Sequence, residues 1–261
     1  MGDRLALCYH AVSANWPAAL AVTPARFESQ LNWLAGRGYR GVTFRELVAE
    51  HSEERRLAVT FDDGFRSVMA KALPALERLG WPATIFVPPA FMNGAEALRW
   101  PGVEHWADTA HGHELAPLSW TELRLLAERG WEIGSHTLSH PRLTGLDDDA
   151  LREELRASRL ACEGQLRQEC ASVAYPYGDV DGRVVAAASA AGYVAAAALG
   201  NPRLAPVSLA FPRVGVYRVD HDTRFRVKVS GSVRLAQRMP VWPLAKKAHR
   251  SLTEWFGKRS D

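Results

Sequence analysis

The 261-residue sequence is poor in cysteine: Cys8, Cys162 and Cys170 are its only three, and none forms a C-x-x-C pair. That scarcity excludes a disulfide-stapled scaffold and points to unpaired thiols in a reducing compartment, so a cytoplasmic location is expected. The N-terminal apolar run, Leu5-Ala6-Leu7-Cys8-Tyr9, is too short for a signal-peptide core or a spanning helix. A myristoylation pattern fails as well, because Ala6 stands where Ser or Thr is needed. There is no strong excess of one charge: 32 basic against 29 acidic side chains leave +3, too little to argue for a nucleic-acid partner. Internal repeats and low-complexity runs are missing too, apart from Ala-rich stretches at 186–191 and 195–198. What is present is ordinary globular usage, 47% hydrophobic and 23% charged, enough for one large folded domain with a buried core.

Along the chain, strand and helix signals alternate. Residues 4–9 read as a short buried strand, and Thr23-Pro24 supplies a cap and first-turn proline for a helix with Phe27, Leu31 and Leu34 on one face. Gly36 and Gly38 end that helix. Strands follow at 57–61, 83–87, 131–134, 172–175, 193–197 and about 214–216. Helices are expected at 65–79 despite Pro74, 120–129, 148–168 and 183–191. Repeated β-then-α units imply a parallel sheet, most simply an α/β barrel with its site at the C-terminal ends of the strands. Residues 91–118, with Trp100, His105, Trp106, His111 and His113, read as a long ordered loop inserted into that rhythm. The barrel is expected over 1–233, with a separate tail over 234–261.

Three segments at strand ends carry chemistry. In Thr60-Phe61-Asp62-Asp63-Gly64, two adjacent carboxylates sit beside a glycine-permitted turn; if both are ionised, one can hold a cation while the other stays free as a base. The bland alternative is a plain Asp-Asp-Gly turn. In Gly134-Ser135-His136-Thr137-Leu138-Ser139-His140, the histidines stand at i and i+4, which on one helical turn presents both rings to a shared metal. Thr137 occupies the place where a metalloprotease needs Glu, so a base must come from elsewhere. Together with Asp62 and Asp63 the histidines provide two imidazoles, one carboxylate ligand and one spare carboxylate, the layout of a metal-assisted hydrolytic site. In Ala174-Tyr175-Pro176-Tyr177-Gly178, proline and glycine fix a tight turn that can aim a main-chain N–H inward as an oxyanion donor.

These three segments, in this order and separation, resemble the polysaccharide deacetylase family with its NodB homology domain, carbohydrate esterase family 4, over about residues 5–230. The resemblance implies a deformed (β/α) barrel of parallel strands that removes N-acetyl groups from amino sugars with one divalent metal. It implies Asp62 as general base, Asp63, His136 and His140 as metal ligands, and the Tyr177 N–H as oxyanion donor. The C-terminal Leu-x-His motif that supplies the acid in most members is absent here. Tyr9-His10 at the end of the first strand instead resembles the circularly permuted branch typified by poly-β-1,6-N-acetylglucosamine deacetylases, and this gives His10 the acid role. Ala174 stands where many members carry an arginine that orients the base; Arg213 is the candidate to reach the same rim. Zinc suits two imidazoles and a carboxylate, with cobalt or nickel as alternatives.

Trp100, Trp106 and Tyr175 are candidates to bind the sugar. The expected partner is an N-acetylated glycan or glycoconjugate. A lipid-linked or small-molecule amide is the alternative substrate, and a non-catalytic glycan-binding barrel the alternative of another class. Residues 1–233 carry 25 basic and 27 acidic groups, whereas 234–261 carry a net +5. After Pro243, the residues Leu244, Ala248, Leu252 and Trp255 fall on one helical face beside Lys246, Lys247 and Arg250, a pattern suited either to peripheral contact with an anionic membrane or to packing across the barrel.

Overall fold

The structure, a computed structural model, describes residues 2–49, 52–93, 97–200 and 204–237, with residues 235–237 described by backbone alone. Its strands are β1 (Arg4–Tyr9), β2 (Ala11–Val12), β3 (Ala21–Val22), β4 (Tyr39–Val42), β5 (Arg55–Phe61), β6 (Thr84–Val87), β7 (Glu132–Ser135), β8 (Ser172–Ala174), β9 (Ala195–Leu199) and β10 (Phe211–Gly215). Its α-helices are α1 (Pro24–Ala35), α2 (Phe44–Ala49), α3 (Leu73–Leu79), α4 (Trp120–Glu128), α5 (Asp148–Leu166), α6 (Gly182–Ala190), α7 (Asp222–Val229) and α8 (Gly231–Gln237). Seven parallel strands close a barrel in the order β1-β10-β9-β8-β7-β6-β5 and back to β1. The barrel is deformed at β5, whose first half pairs with β4 (Tyr39 to Val42 against Arg55 to Ala58) and whose last two residues pair with β6. β2 and β3 form a small separate parallel pair.

Local chemistry explains the helices. Thr23 caps α1 by accepting from the Arg26 N–H, Pro24 fills the first turn, and Phe27, Leu31 and Leu34 are buried. Ser119 and Glu122 form a reciprocal capping box at α4. The stretch 65–79 departs from the single helix expected. A π-helical turn over Val68–Ala72 precedes α3, so Pro74 lies in the first turn of a new helix, where its missing N–H costs nothing. Six elements had no place in the sequence reading: β2, β3, β4, α7, α8 and α2, whose Phe44 packs edge-on against Phe86 and Phe211 and plugs the end where the strands begin.

The core has two parts. Inside the barrel, Ala6, Ala58, Ala174, Ala195 and Ala197 leave room for Phe44, Phe86 and Phe211. Outside it, the helices bury the larger cluster of leucines, valines and aromatics against the sheet. Residues 91–93 and 97–118 pack as an excursion with short 3-10 turns and buried Leu98, Val103, Leu115 and Leu118. The excursion returns to the barrel where the Leu118 N–H donates to the Gly64 carbonyl and the Arg66 N–H to the Ala116 carbonyl, each at 2.9 Å. No helix among the described residues is long and apolar enough to cross a membrane. The tail helix expected after Pro243 lies outside the described residues.

Candidate active site

Strand alternation sends every second side chain of β1, β5 and β10 into the barrel. On these rows Cys8 and His10 lie next to Thr60 and Asp62, and across from Arg213. β10 begins at Phe211, earlier than expected, so Arg213 is a strand residue facing inward instead of one that precedes the strand. Its guanidinium grips Asp62 with two bonds, Nη1 to Oδ1 at 2.6 Å and Nη2 to Oδ2 at 2.7 Å. Nη1 also donates to Thr60 Oγ1 at 2.8 Å, and that hydroxyl donates to the Leu7 carbonyl at 2.7 Å. The Cys8 thiol lies 3.3 Å from Asp62 Oδ2. All of this is buried, Asp62 and Arg213 being 1% and 2% exposed. Burial pushes the Asp62 carboxyl up, yet the Arg213 guanidinium, then His136, outweigh it and hold it at about 2, below the ordinary 3.8. The group is thus an ionised carboxylate fixed in orientation.

Asp63 turns the other way. Its φ of 75°, followed by Gly64 at 74°, swings its carboxylate toward the loop after β7. There the His136 Nε2 is 3.4 Å and the His140 Nε2 3.2 Å from Asp63 Oδ1. The sequence reading put the two histidines on one helical turn. The structure corrects this: the loop is not helical, and its convergence depends on left-handed backbone at Thr137 and His140, both at φ 64°. Left-handed conformations are costly for non-glycine residues and concentrate where function requires them. Of the five such residues described, Asp63, Thr137, His140 and Tyr177 belong to this site.

The trio fits a cation. His136 Nδ1 lies 2.8 Å from the Ala174 carbonyl, an oxygen that can only accept and so fixes the proton on Nδ1. The Nε2 lone pair then faces a carboxylate oxygen, and two acceptors at that distance need a cation or a proton between them. Burial lowers and the two aspartates raise the His136 pKa, with a net rise, whereas burial prevails at His140 and lowers it. Asp63 is held well below the usual carboxylate range, its burial outweighed by the hydrogen bonds with both histidines. The three ligand atoms lie within 4.8 Å of one another.

At the rim, the His10 ring lies roughly parallel to Tyr217, with centroids 6.3 Å apart. Tyr177 stands at φ 59° with its ring edge-on to His140 at 4.7 Å, so its peptide borders the ligand trio. Two of the proposed sugar contacts need correction. Trp100 is 7% exposed and stacks on His140 with centroids 4.2 Å apart, so it braces that imidazole and offers no open face. Tyr175 is buried, and its hydroxyl donates to the Leu209 carbonyl at 2.8 Å. Trp106 is half-buried, edge-on to Trp16. The sequence reading gave no role to Cys8 or Tyr217; for Cys8 the usable signal was its position two residues before His10 on the same strand face.

Several known proteins are similar to this chain. A Bacillus subtilis protein named for the polysaccharide deacetylases, YxkH, is 27% identical over 192 residues, covering 72% of this chain and 61% of its own length. The poly-beta-1,6-N-acetyl-D-glucosamine N-deacetylase of Escherichia coli K12 is 27% identical over 134 residues, 45% of this chain and 18% of that protein. The chain therefore spans less than two thirds of either relative. Among solved structures, the Streptococcus pyogenes deacetylase PplD in complex with acetate matches with a TM-score of 0.71 at 21% identity, over 87% of this chain and 97% of that one. IcaB from Ammonifex degensii matches at 0.66 and 23%, over 92% and 99%. These likenesses establish the fold, a NodB-type barrel. The polysaccharide deacetylase family model matches residues 49–196, a stretch that holds Asp62, Asp63, His136, His140 and Tyr177 while His10 and Arg213 join them only through closure of the barrel. More than half of the sequence lies within that match, and the chain belongs to the polysaccharide deacetylase family.

Proposed function

We propose that this protein is a metal-dependent hydrolase that removes N-acetyl groups from an amino-sugar glycan or glycoconjugate. The observation that carries this is the division of labour between neighbouring carboxylates: Arg213 holds Asp62 ionised and apart, while Asp63 converges with His136 and His140. The name of the Escherichia coli relative supports the same substrate class. Two imidazoles and one carboxylate suit zinc, with cobalt or nickel as alternatives. When bound, such an ion polarises the acetyl carbonyl and acidifies water.

The chain's own residues supply the proton transfers. Asp62 takes the proton of the attacking water as its oxygen bonds to the acetyl carbon. The Tyr177 N–H, on its left-handed turn, is placed to donate to the oxygen that gains charge. His10, beside Asp62 at the end of β1, gives a proton to the sugar nitrogen as the C–N bond breaks, so that acetate and a free amine leave. Arg213 positions the base without touching substrate. A cytoplasmic location belongs to the same proposal, supported by three free, buried cysteines. So does peripheral contact of the tail with an anionic membrane, supported by the tail's charge.

The test is Asp62→Asn in the metal-loaded protein, with acetate release measured on N-acetylglucosamine oligomers. The expected result is a loss of turnover of about 10²-fold or more with metal content unchanged. Residual turnover close to that of the unaltered protein would remove Asp62 from the base role. No release from any acetylated amino sugar by the fully metallated, unaltered protein would favour a glycan-binding barrel without catalysis.

A further inference from the structure

Beside the Asp63 trio stands a second set of donors that shares no ligand with it: Cys8, His10 and Asp62, all buried, with ligand atoms within 4.8 Å of one another. The His10 Nδ1 is buried and has no hydrogen-bond partner among the described residues. The Cys8 sulfur and Asp62 Oδ2 are 3.3 Å apart. An ion at typical zinc distances from sulfur (~2.3 Å) and oxygen (~2.0 Å) would see this pair at an angle of roughly 100°, close to tetrahedral. We propose that Cys8, His10 and Asp62 form a second cation site, selective for thiophilic ions such as cadmium or excess zinc, whose occupation inhibits the enzyme.

The selectivity follows from Arg213. Both Asp62 oxygens already accept from its guanidinium, so a hard cation that depends on carboxylate charge meets a fixed positive group across the same carboxylate. A soft ion gains what a hard one does not, a bond to sulfur. Binding exchanges the Cys8 thiol proton for the ion: the S–H bond breaks, an S–metal bond forms, and the proton leaves to solvent without any redox change. The inhibitory consequence rests on the proposed function, since the same ion would hold the base Asp62 and the acid His10 together. Binding itself does not rest on it.

The experiment uses the full chain loaded with one equivalent of zinc, then titrated with cadmium. Two signals are read along one titration: the ultraviolet thiolate-to-cadmium charge-transfer band and acetate release. The Asp63 trio contains no sulfur, and every titration is run in a Cys162→Ala/Cys170→Ala background, so the band reports the second site alone. The expected result is a band that saturates near one cadmium per chain while turnover falls along the same curve, with magnesium producing neither change. In Cys8→Ser the band disappears and inhibition moves to at least about tenfold higher cadmium, since losing a direct ligand costs no less than losing an outer-shell partner. Cys8→Ala serves if the serine variant does not fold. Absence of the band in the chain that keeps Cys8, or its persistence in both Cys8 variants, overturns the site. A Cys8-dependent band without loss of turnover leaves the site standing and overturns its inhibitory role, and with it the assignment of Asp62 and His10.

Discussion

Asp62 and Asp63 share a peptide bond and little else. The first is gripped by a guanidinium, the second faces two imidazoles, and the left-handed φ at Asp63 is what separates them. This has a consequence for acid stability. The folded-state pKa of Asp62, about 2, lies below its ordinary 3.8. Its contribution is therefore fully present above the ordinary value and lost as pH falls through about 4 toward about 2. Urea midpoints measured at pH values across that window should fall less steeply for Asp62→Asn than for the unaltered chain; parallel slopes would refute the assignment. Trp100 carries a second prediction. Among the described residues His140 Nδ1 has no hydrogen-bond partner, unlike its counterpart on His136, so ring packing, the stacked indole above all, orients the imidazole. Trp100→Ala should accelerate release of bound metal by about 10- to 100-fold, the range seen when outer-shell support is lost. Trp100→Phe should keep most of that support, and equal release rates in all three proteins would leave Trp100 with only a packing role.

At the scale of elements, the turn after β5 is where backbone and packing meet. Gly64 stands at φ 74°, and a Cβ there would lie 2.9 Å from Met92 Sδ and 3.1 Å from a Val87 methyl. Its carbonyl also receives the returning end of the 91–118 excursion through Leu118. Gly64→Ala should cost about 1–3 kcal/mol and lower metal affinity as well, because the same turn aims Asp63; thermal melts and metal titration check the two effects. Elements of this kind also show what the sequence could disclose. The barrel strands were legible because short apolar runs end in Gly, Pro or polar clusters, and α1 because Thr23 and Pro24 mark its start. β4 was not, since Tyr39-Arg40-Gly41-Val42 pairs only with the lower half of β5 and buries little of itself. The two histidines were legible as a pair by their spacing, but not the loop that joins them. Left-handed φ at Thr137 and His140 is imposed by the surrounding fold and leaves no glycine to read. Arg213 could be named as a candidate, whereas its grip on Asp62, 151 residues away, exists only once β1 closes the ring between β10 and β5.

For the whole molecule, that closure also sets the two ends of the barrel apart. The candidate site lies where the strands end, and α8 lies where β1 begins. Arg234 of α8 pairs with Asp3 and donates to the Arg4 carbonyl, and Tyr39 donates to Asp3 from the other side. With Arg234 committed to this clamp, the net charge of residues 238–261 is +4. The proposed membrane contact would then act from the end opposite the substrate mouth, so anchoring would leave the site facing solvent and a soluble glycan within reach. A chain ending at Gln237 should therefore lose sedimentation with anionic vesicles at low salt while its kcat and KM on soluble N-acetylglucosamine oligomers stay unchanged. A chain ending at Ser230 loses the Arg234 clamp as well, at about 1–3 kcal/mol for charged hydrogen bonds, and should melt several degrees lower. Sedimentation that persists in the chain ending at Gln237 would move any membrane contact onto the barrel itself, and a loss of turnover in that chain would mean that the tail reaches the mouth after all.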